Sequence, residues 1–238
     1  MSGIVDYVAG AKSRIPVPTA AAPHDAFVVG VDLGQAADYS ALCVIEKLKI
    51  DNSEIRQQGF EAPTVVGGTK RVCHLRHLQR LKLGTEYPEV VEIVGTLMKA
   101  LPPAKVAPAL VVDATMVGRP VVDMMVKAGL RPIAVTITGG NAENYAGSNW
   151  WNIPKRNLVS TLAVLMQSGR LKVSPELVEA ETFVNELANF KVKISSTGHD
   201  SYNSWRESIH DDLVLAVALS AWWCERPALP RVVFSMDR

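Results

Sequence analysis

An apolar run through residues 27–31 ends at Asp32 (FVVGVDLG), the pattern of a buried strand whose end reaches solvent. Residues 40–48 read as a second strand beyond the turn LGQAAD, and the alternating segment 71–81 as a third, giving an antiparallel meander. Strict alternation in that third strand groups Val72, His74, Arg76 and Leu78 on one face. His74 and His77 then point oppositely and are poorly placed to share a metal. From 87 to 100, Val90, Val91, Val94, Leu97 and Met98 recur at helical spacing, and the two prolines after Leu101 stop the helix. A strand ending at Asp113, a helix over 118–128 closed by Gly129 and an apolar strand over 131–136 follow, which together make a crossover between parallel strands.

The next stretch, TGGNAENYAGSNWWN, reads as a loop too long for a mere connector. Pro154 opens a helix to about Ser168, RLKVS is a short strand, and 175–189 has the pattern of an amphipathic helix. FKVKI places Phe190, Val192 and Ile194 on one face of a strand and leads into the polar segment SSTGHDSYNSWRES, a late hairpin-and-loop insertion. The last helix begins around Asp211 and is apolar nearly all round, so it must be deeply buried. The sum is an α/β fold, a mixed sheet of a three-stranded antiparallel meander plus parallel strands, flanked by helices. The Ala- and Pro-rich residues 1–25 read as a flexible linker, 26–226 as the folded domain and 227–238 as a tail.

Composition narrows the function classes. With 238 residues, 48% of them hydrophobic and 21% charged, the chain suits one soluble domain. A net charge of +1 gives no global attraction for nucleic acid, so any DNA-binding surface must be local. Cys43, Cys73 and Cys224 are odd in number and far apart, as expected of reduced thiols and not of a zinc site. Neither a signal peptide nor a membrane-length apolar run is visible, which predicts a cytoplasmic protein.

The candidate chemistry lies in the acids. Asp32 and Asp113 each end a strand, and Asp211 and Asp212 open the last helix. One strand-end Asp is commonly a turn former. Two of them plus an acidic helix start would converge at one sheet edge, where carboxylates repel one another unless a cation lies between them. Phosphodiester hydrolysis needs such a centre, because a pair of divalent cations activates water and offsets charge on the attacking and leaving oxygens. Hard oxygen ligands suit Mg²⁺ or Mn²⁺.

The order of elements, with acids at these places, resembles the RNase H-like nuclease superfamily. More closely, GVDLGQAADYSALCVI, VVDATMVGRPVVDMM, WNIPKRNLVSTLAVLMQSGRLKV and HDDLVLAVALS are similar to the nuclease domain of the large terminase subunit of tailed bacteriophages. The resemblance implies an endonuclease that cuts concatemeric double-stranded DNA during packaging, with little sequence specificity, in the cytoplasm of a bacterial host. By carry-over, Asp32 bridges two Mg²⁺ or Mn²⁺ ions, Asp113 holds one and Asp212 the other. Asp211 either shares ligation or caps the helix, and His210 is either a supporting or phosphate-contacting residue or a plain surface histidine. Asp38 occupies a turn where the family often carries an acid; a turn role is the other reading.

Lys155, Arg156, Arg170, Lys172, Lys191, Lys193 and Arg206 form a candidate basic rim for phosphates, although surface solvation explains each singly. Trp150, Trp151, Tyr202 and Trp205 are loop aromatics that cover the site, stack on exposed bases or pack on the sheet, the last being the reading for at least two of them. No GxxxxGK[ST] phosphate loop is present, so motor activity is not expected from this chain. Either an ATPase motor is on another polypeptide or the chain is an excised or reduced form; the implied partners are DNA, such a separate motor, a small terminase subunit and a portal, with no membrane. Alternatives are a Holliday-junction-resolvase-like nuclease, a non-catalytic DNA-binding packaging module and, from the hairpin VGVDLGQAADYS, an actin-like ATP-binding protein.

Overall fold

Strands β1 (Ala26–Asp32), β2 (Ala41–Ile50) and β3 (Lys70–Arg80) form the expected meander in the computed structural model, which describes residues 26–34, 38–50, 70–115, 118–196 and 211–226. The expected linker and tail, and Tyr202, Trp205, Arg206 and His210, lie outside the described residues. Helix α1 (Tyr87–Ala100), β4 (Ala109–Asp113), α2 (Gly118–Lys127) and β5 (Pro132–Thr138) follow, and β4 lies parallel to both β1 and β5. Then come β6 (Asn144–Gly147), β7 (Trp150–Pro154), α3 (Lys155–Gln167), β8 (Leu171–Val173), α4 (Ala180–Ser196) and α5 (Asp212–Glu225). The strands make one eight-stranded mixed sheet in the order β6, β7, β5, β4, β1, β2, β3, β8. This is the arrangement expected of an RNase H-like fold.

Helices α1 and α2 cover one face of the sheet through Val90, Val94, Leu97, Val121 and Met125. Helices α3, α4 and α5 cover the other. Helix α5 lies against the sheet with α3 and α4 over it, and burial on all sides explains why its sequence shows no polar stripe. Its closeness to β1 depends on Gly30. A Cβ there would run into the Ala216 carbonyl oxygen and Ser220 Oγ of α5. Beside that contact, Cys43 Sγ donates to the Ala216 carbonyl at 3.2 Å and lies 3.3 Å from Ser220 Oγ. All three cysteines are buried and free. Among the described residues no helix is long and apolar enough to cross a membrane.

Three local expectations are corrected. FKVKI is not a strand, because α4 continues through it to Ser196; the buried stripe Ala180, Phe183, Leu187 and Phe190 has helical period, and this outweighs the alternation beyond it. The segment expected to be a loop contains β6 and β7, so Trp150 and Trp151 are strand residues, and β7 is held by parallel pairing to β5 from Ala134↔Trp150 to Thr138↔Pro154. His74 and His77 share a face. The pairing jumps from Ile45↔Leu75 to Val44↔His77, so Arg76 is the extra residue of a bulge that resets the alternation.

Candidate active site

Parallel pairing aligns the C-terminal ends of β1, β4, β5 and β7 at one edge of the sheet, and β3, running the same way, ends there at Arg80. Ligand sites of open α/β sheets are built at such an edge. Here it carries Asp32 from β1, Asp113 from β4 and Lys155, the first residue of α3 directly after β7. Helix α5 begins at the same edge with Asp211 and Asp212.

Asp32 is 7% exposed and hydrogen-bonded to Asp113. Burial, then the charges of Asp113, Asp212 and Asp211, raise its carboxyl well above the usual range. Burial raises Asp113 too, but Thr115 opposes this by donating to Asp113 Oδ1 from its backbone N–H at 2.8 Å and from its hydroxyl. Thr115 Oγ1 in turn accepts the Ile137 N–H at 2.7 Å, which ties Asp113 to β5.

Lys155, expected in a basic rim, is drawn into this cluster. Its Nζ donates to Asp211 Oδ2 at 2.9 Å and lies 4.8 Å from the centre of the Phe190 ring. Burial lowers its pKa, while Asp211, Asp32 and Asp113 act to raise it. Asp211 does not cap α5 with its side chain. The cap comes from α4: Glu186 Oε2 accepts the N–H groups of Leu213 at 3.1 Å and Val214 at 3.2 Å. Glu186 also pairs with Arg80, whose guanidinium lies 3.6 Å from Asp212 Oδ2 and 4.8 Å from the Tyr39 ring centre. Burial pushes the Glu186 carboxyl up to about 7, against the opposing charge of Arg80.

Arg170 and Lys172 are placed away from the cluster. They flank Leu171, which pairs with Cys73 toward the far end of β3; with Arg76 bulged out, Cys73 is six paired positions from Arg80, which at about 3.3 Å per residue puts Leu171 roughly 20 Å along the strand from the acidic edge. Arg170 there makes a two-pronged ion pair with Glu225, at 2.8 and 2.9 Å. Asp38 is exposed and lines a separate cleft with Gly34, Lys82 and Tyr87. Arg156 is at the site edge, where its Nη2 donates to the Asn141 carbonyl at 2.9 Å. Lys191 and Lys193 fall on α4. Trp150 Nε1 donates to Thr136 Oγ1 at 2.8 Å, and Trp151 lies 5.9 Å from Trp222, with the Arg226 guanidinium 4.0 Å from the centre of each ring; both tryptophans serve packing.

The donor set suits a hard divalent cation. Asp32 and Asp113 repel one another when both are charged, and a cation between all-oxygen ligands would relieve that repulsion. Among the described residues, no three acidic, histidine or cysteine side chains close around one point, since Asp211 turns to Lys155 and Arg80 approaches Asp212. Sequence reasoning missed Thr115, Glu186 and Arg80. Glu186 had a signal: it lies between Phe183 and Leu187 on the apolar stripe of α4, where an acid requires a buried partner.

No protein-family model matches the chain, and no curated protein matches it significantly in sequence. Among solved structures it is similar to the nuclease domain of human cytomegalovirus terminase, crystallised with an inhibitor and soaked with manganese, at a TM-score of 0.52 and 11% identity over 89% of this chain and 88% of that one. The chain has the fold of a terminase nuclease domain. It is also similar to the large terminase nuclease of the thermophilic phage G20c, at a TM-score of 0.48 and 20% identity over 83% of this chain and 81% of that one.

Proposed function

We propose that the chain is a divalent-cation-dependent endonuclease that hydrolyses double-stranded DNA during phage genome packaging, with little sequence readout. The observation that carries this reading is the convergence of Asp32, Asp113, Asp211 and Asp212 at the C-terminal edge of a sheet with the terminase-nuclease fold. Asp32 would bridge two Mg²⁺ or Mn²⁺ ions, Asp113 would hold one, and Asp212, with Asp211 available to share, the other. Bound there, the cations supply a nucleophilic water at neutral pH and offset the charge on the attacking and leaving oxygens. The manganese soaked into the cytomegalovirus domain is a reason to test Mn²⁺ beside Mg²⁺.

The chain's own groups prepare that centre. Thr115 fixes the direction of the Asp113 carboxylate. Lys155 holds Asp211 and offsets part of the clustered negative charge, so that the acids are assembled before any cation arrives. Arg156 is the rim cation best placed to meet a DNA phosphate near this edge. An ATPase motor, a small subunit and a portal are the partners this reading entails, and their absence would weaken cleavage by the isolated chain. The test is incubation of supercoiled plasmid with Mg²⁺, Mn²⁺ or EDTA. Nicking and linearisation that need the metal and are lost in Asp32→Asn and Asp113→Asn are expected; undiminished cleavage by both variants would sink the proposal.

A further inference from the structure

We propose that Glu186 is a positioning residue that acts through the start of α5 to aim Asp212 and Asp211 at the reacting centre; this rests on the nuclease reading above. A helix start leaves backbone N–H groups without intrahelical partners, and the residue before the helix ordinarily satisfies one of them with its own side chain. Asp211 occupies that place and makes no such bond, because its carboxylate is turned to Lys155. The need is met from a different helix: Glu186 Oε2 takes the Leu213 and Val214 N–H groups, at 3.1 and 3.2 Å. Capping by a distant residue relieves the Asp211 side chain of that task and leaves its carboxylate to Lys155 at the acidic edge.

The second oxygen of Glu186 fixes another part of the same edge. Oε1 holds the Arg80 guanidinium, which lies 3.6 Å from Asp212 Oδ2. One carboxylate of α4 thus sets both the backbone that carries Asp212 and the cation beside it. Burying such a pair is costly, and an apolar residue of similar size is often as good or better for stability alone. Glu186 is 6% exposed, so a polar, ionisable group sits in a place where packing by itself would favour an apolar one. Orientation of the helix start accounts for its presence.

The test compares wild type, Glu186→Ala and Glu186→Gln by calorimetric Mn²⁺ titration, thermal melting and plasmid cleavage. Ala removes the cap, and Mn²⁺ affinity and cleavage are both expected to fall about tenfold or more, the usual range for residues that orient metal ligands. Gln keeps an oxygen for the two N–H groups and gives up only the hold on Arg80, which is not a contact to the metal, so its Mn²⁺ affinity is expected to stay within about threefold of wild type, a rescue that general destabilisation would not give. If Glu186→Ala does not fold, the Gln variant alone decides: a folded Gln protein with Mn²⁺ affinity lowered as far as tenfold overturns the proposal. A folded Ala variant that binds Mn²⁺ like wild type also overturns it. Mn²⁺ binding by a wild type that cuts no DNA would instead refute the nuclease reading and leave the affinity comparison to judge Glu186.

Discussion

Gly30→Ala tests how closely α5 must approach β1. The added methyl would meet the Ala216 carbonyl oxygen and Ser220 Oγ, with the Ala216 carbonyl carbon 3.2 Å away. Ser220 can rotate at the cost of its contact with Cys43 Sγ, but a helix carbonyl cannot, so α5 must back away by roughly an ångström to restore ordinary contact distances. Overpacking of this kind costs about 1–3 kcal/mol. For a chain of this length that lowers Tm by roughly 2–12 °C, at about 2–4 °C per kcal/mol. The helix that shifts is the one that opens with Asp211 and Asp212, so cleavage should fall further than the loss of folded protein explains. Thermal melts, and plasmid cleavage well below both melting temperatures, measure the two effects. A Gly30→Ala protein that melts within about 1 °C of wild type and cuts normally would refute the claim that this contact sets the helix.

Further outcomes follow from the same geometry. Thr115→Val removes the hydroxyl that aligns Asp113 and is expected to cut activity by about 10-fold or more with a modest loss of stability; unchanged cleavage rates would show that Asp113 needs no such support. His77 is buried and its pKa is lowered chiefly by that burial, so its neutral form favours folding. Its contribution is present above the unfolded pKa of about 6.5 and is lost as pH falls from there through the lower native value. Urea melts at pH 7.5 and 5.5 should show a smaller pH dependence in His77→Gln than in wild type, and equal dependence would contradict the assignment. Arg170→Gln breaks a partly exposed ion pair at the far sheet edge; a stability loss under about 1 kcal/mol and unchanged DNA affinity are expected, whereas a shallower salt dependence of DNA binding would put Arg170 on the DNA.

The meander and the crossover were legible because each strand is apolar on both faces or alternates cleanly, and because Pro and Gly mark the helix ends. The carboxylates at Asp32, Asp113 and Asp212 were legible for a related reason: a charge that ends an apolar run has few places to go. What the sequence hid depends on partners far along the chain. Nothing local separates Lys155 from a solvated surface lysine; only the parallel pairing of β7 with β5 carries it to the acidic edge. Nor does the sequence around Asp211 tell a capping side chain from a free one, since the residue that does the capping is Glu186 on another helix. The bulge at Arg76 is invisible to a period-two reading, which is why the two histidines were assigned to opposite faces. In FKVKI, three alternating apolar residues fit a strand as well as the continuation of a helix, and the preceding stripe on α4 decides the outcome.

The most direct test of the acidic edge as a cation-dependent nuclease centre is anomalous diffraction from crystals of the chain soaked in Mn²⁺. The account predicts anomalous density against the carboxylates of Asp32 and Asp113, and further density reaching Asp212. Cleavage-competent protein whose crystals show manganese elsewhere, and none within reach of Asp32, would contradict it.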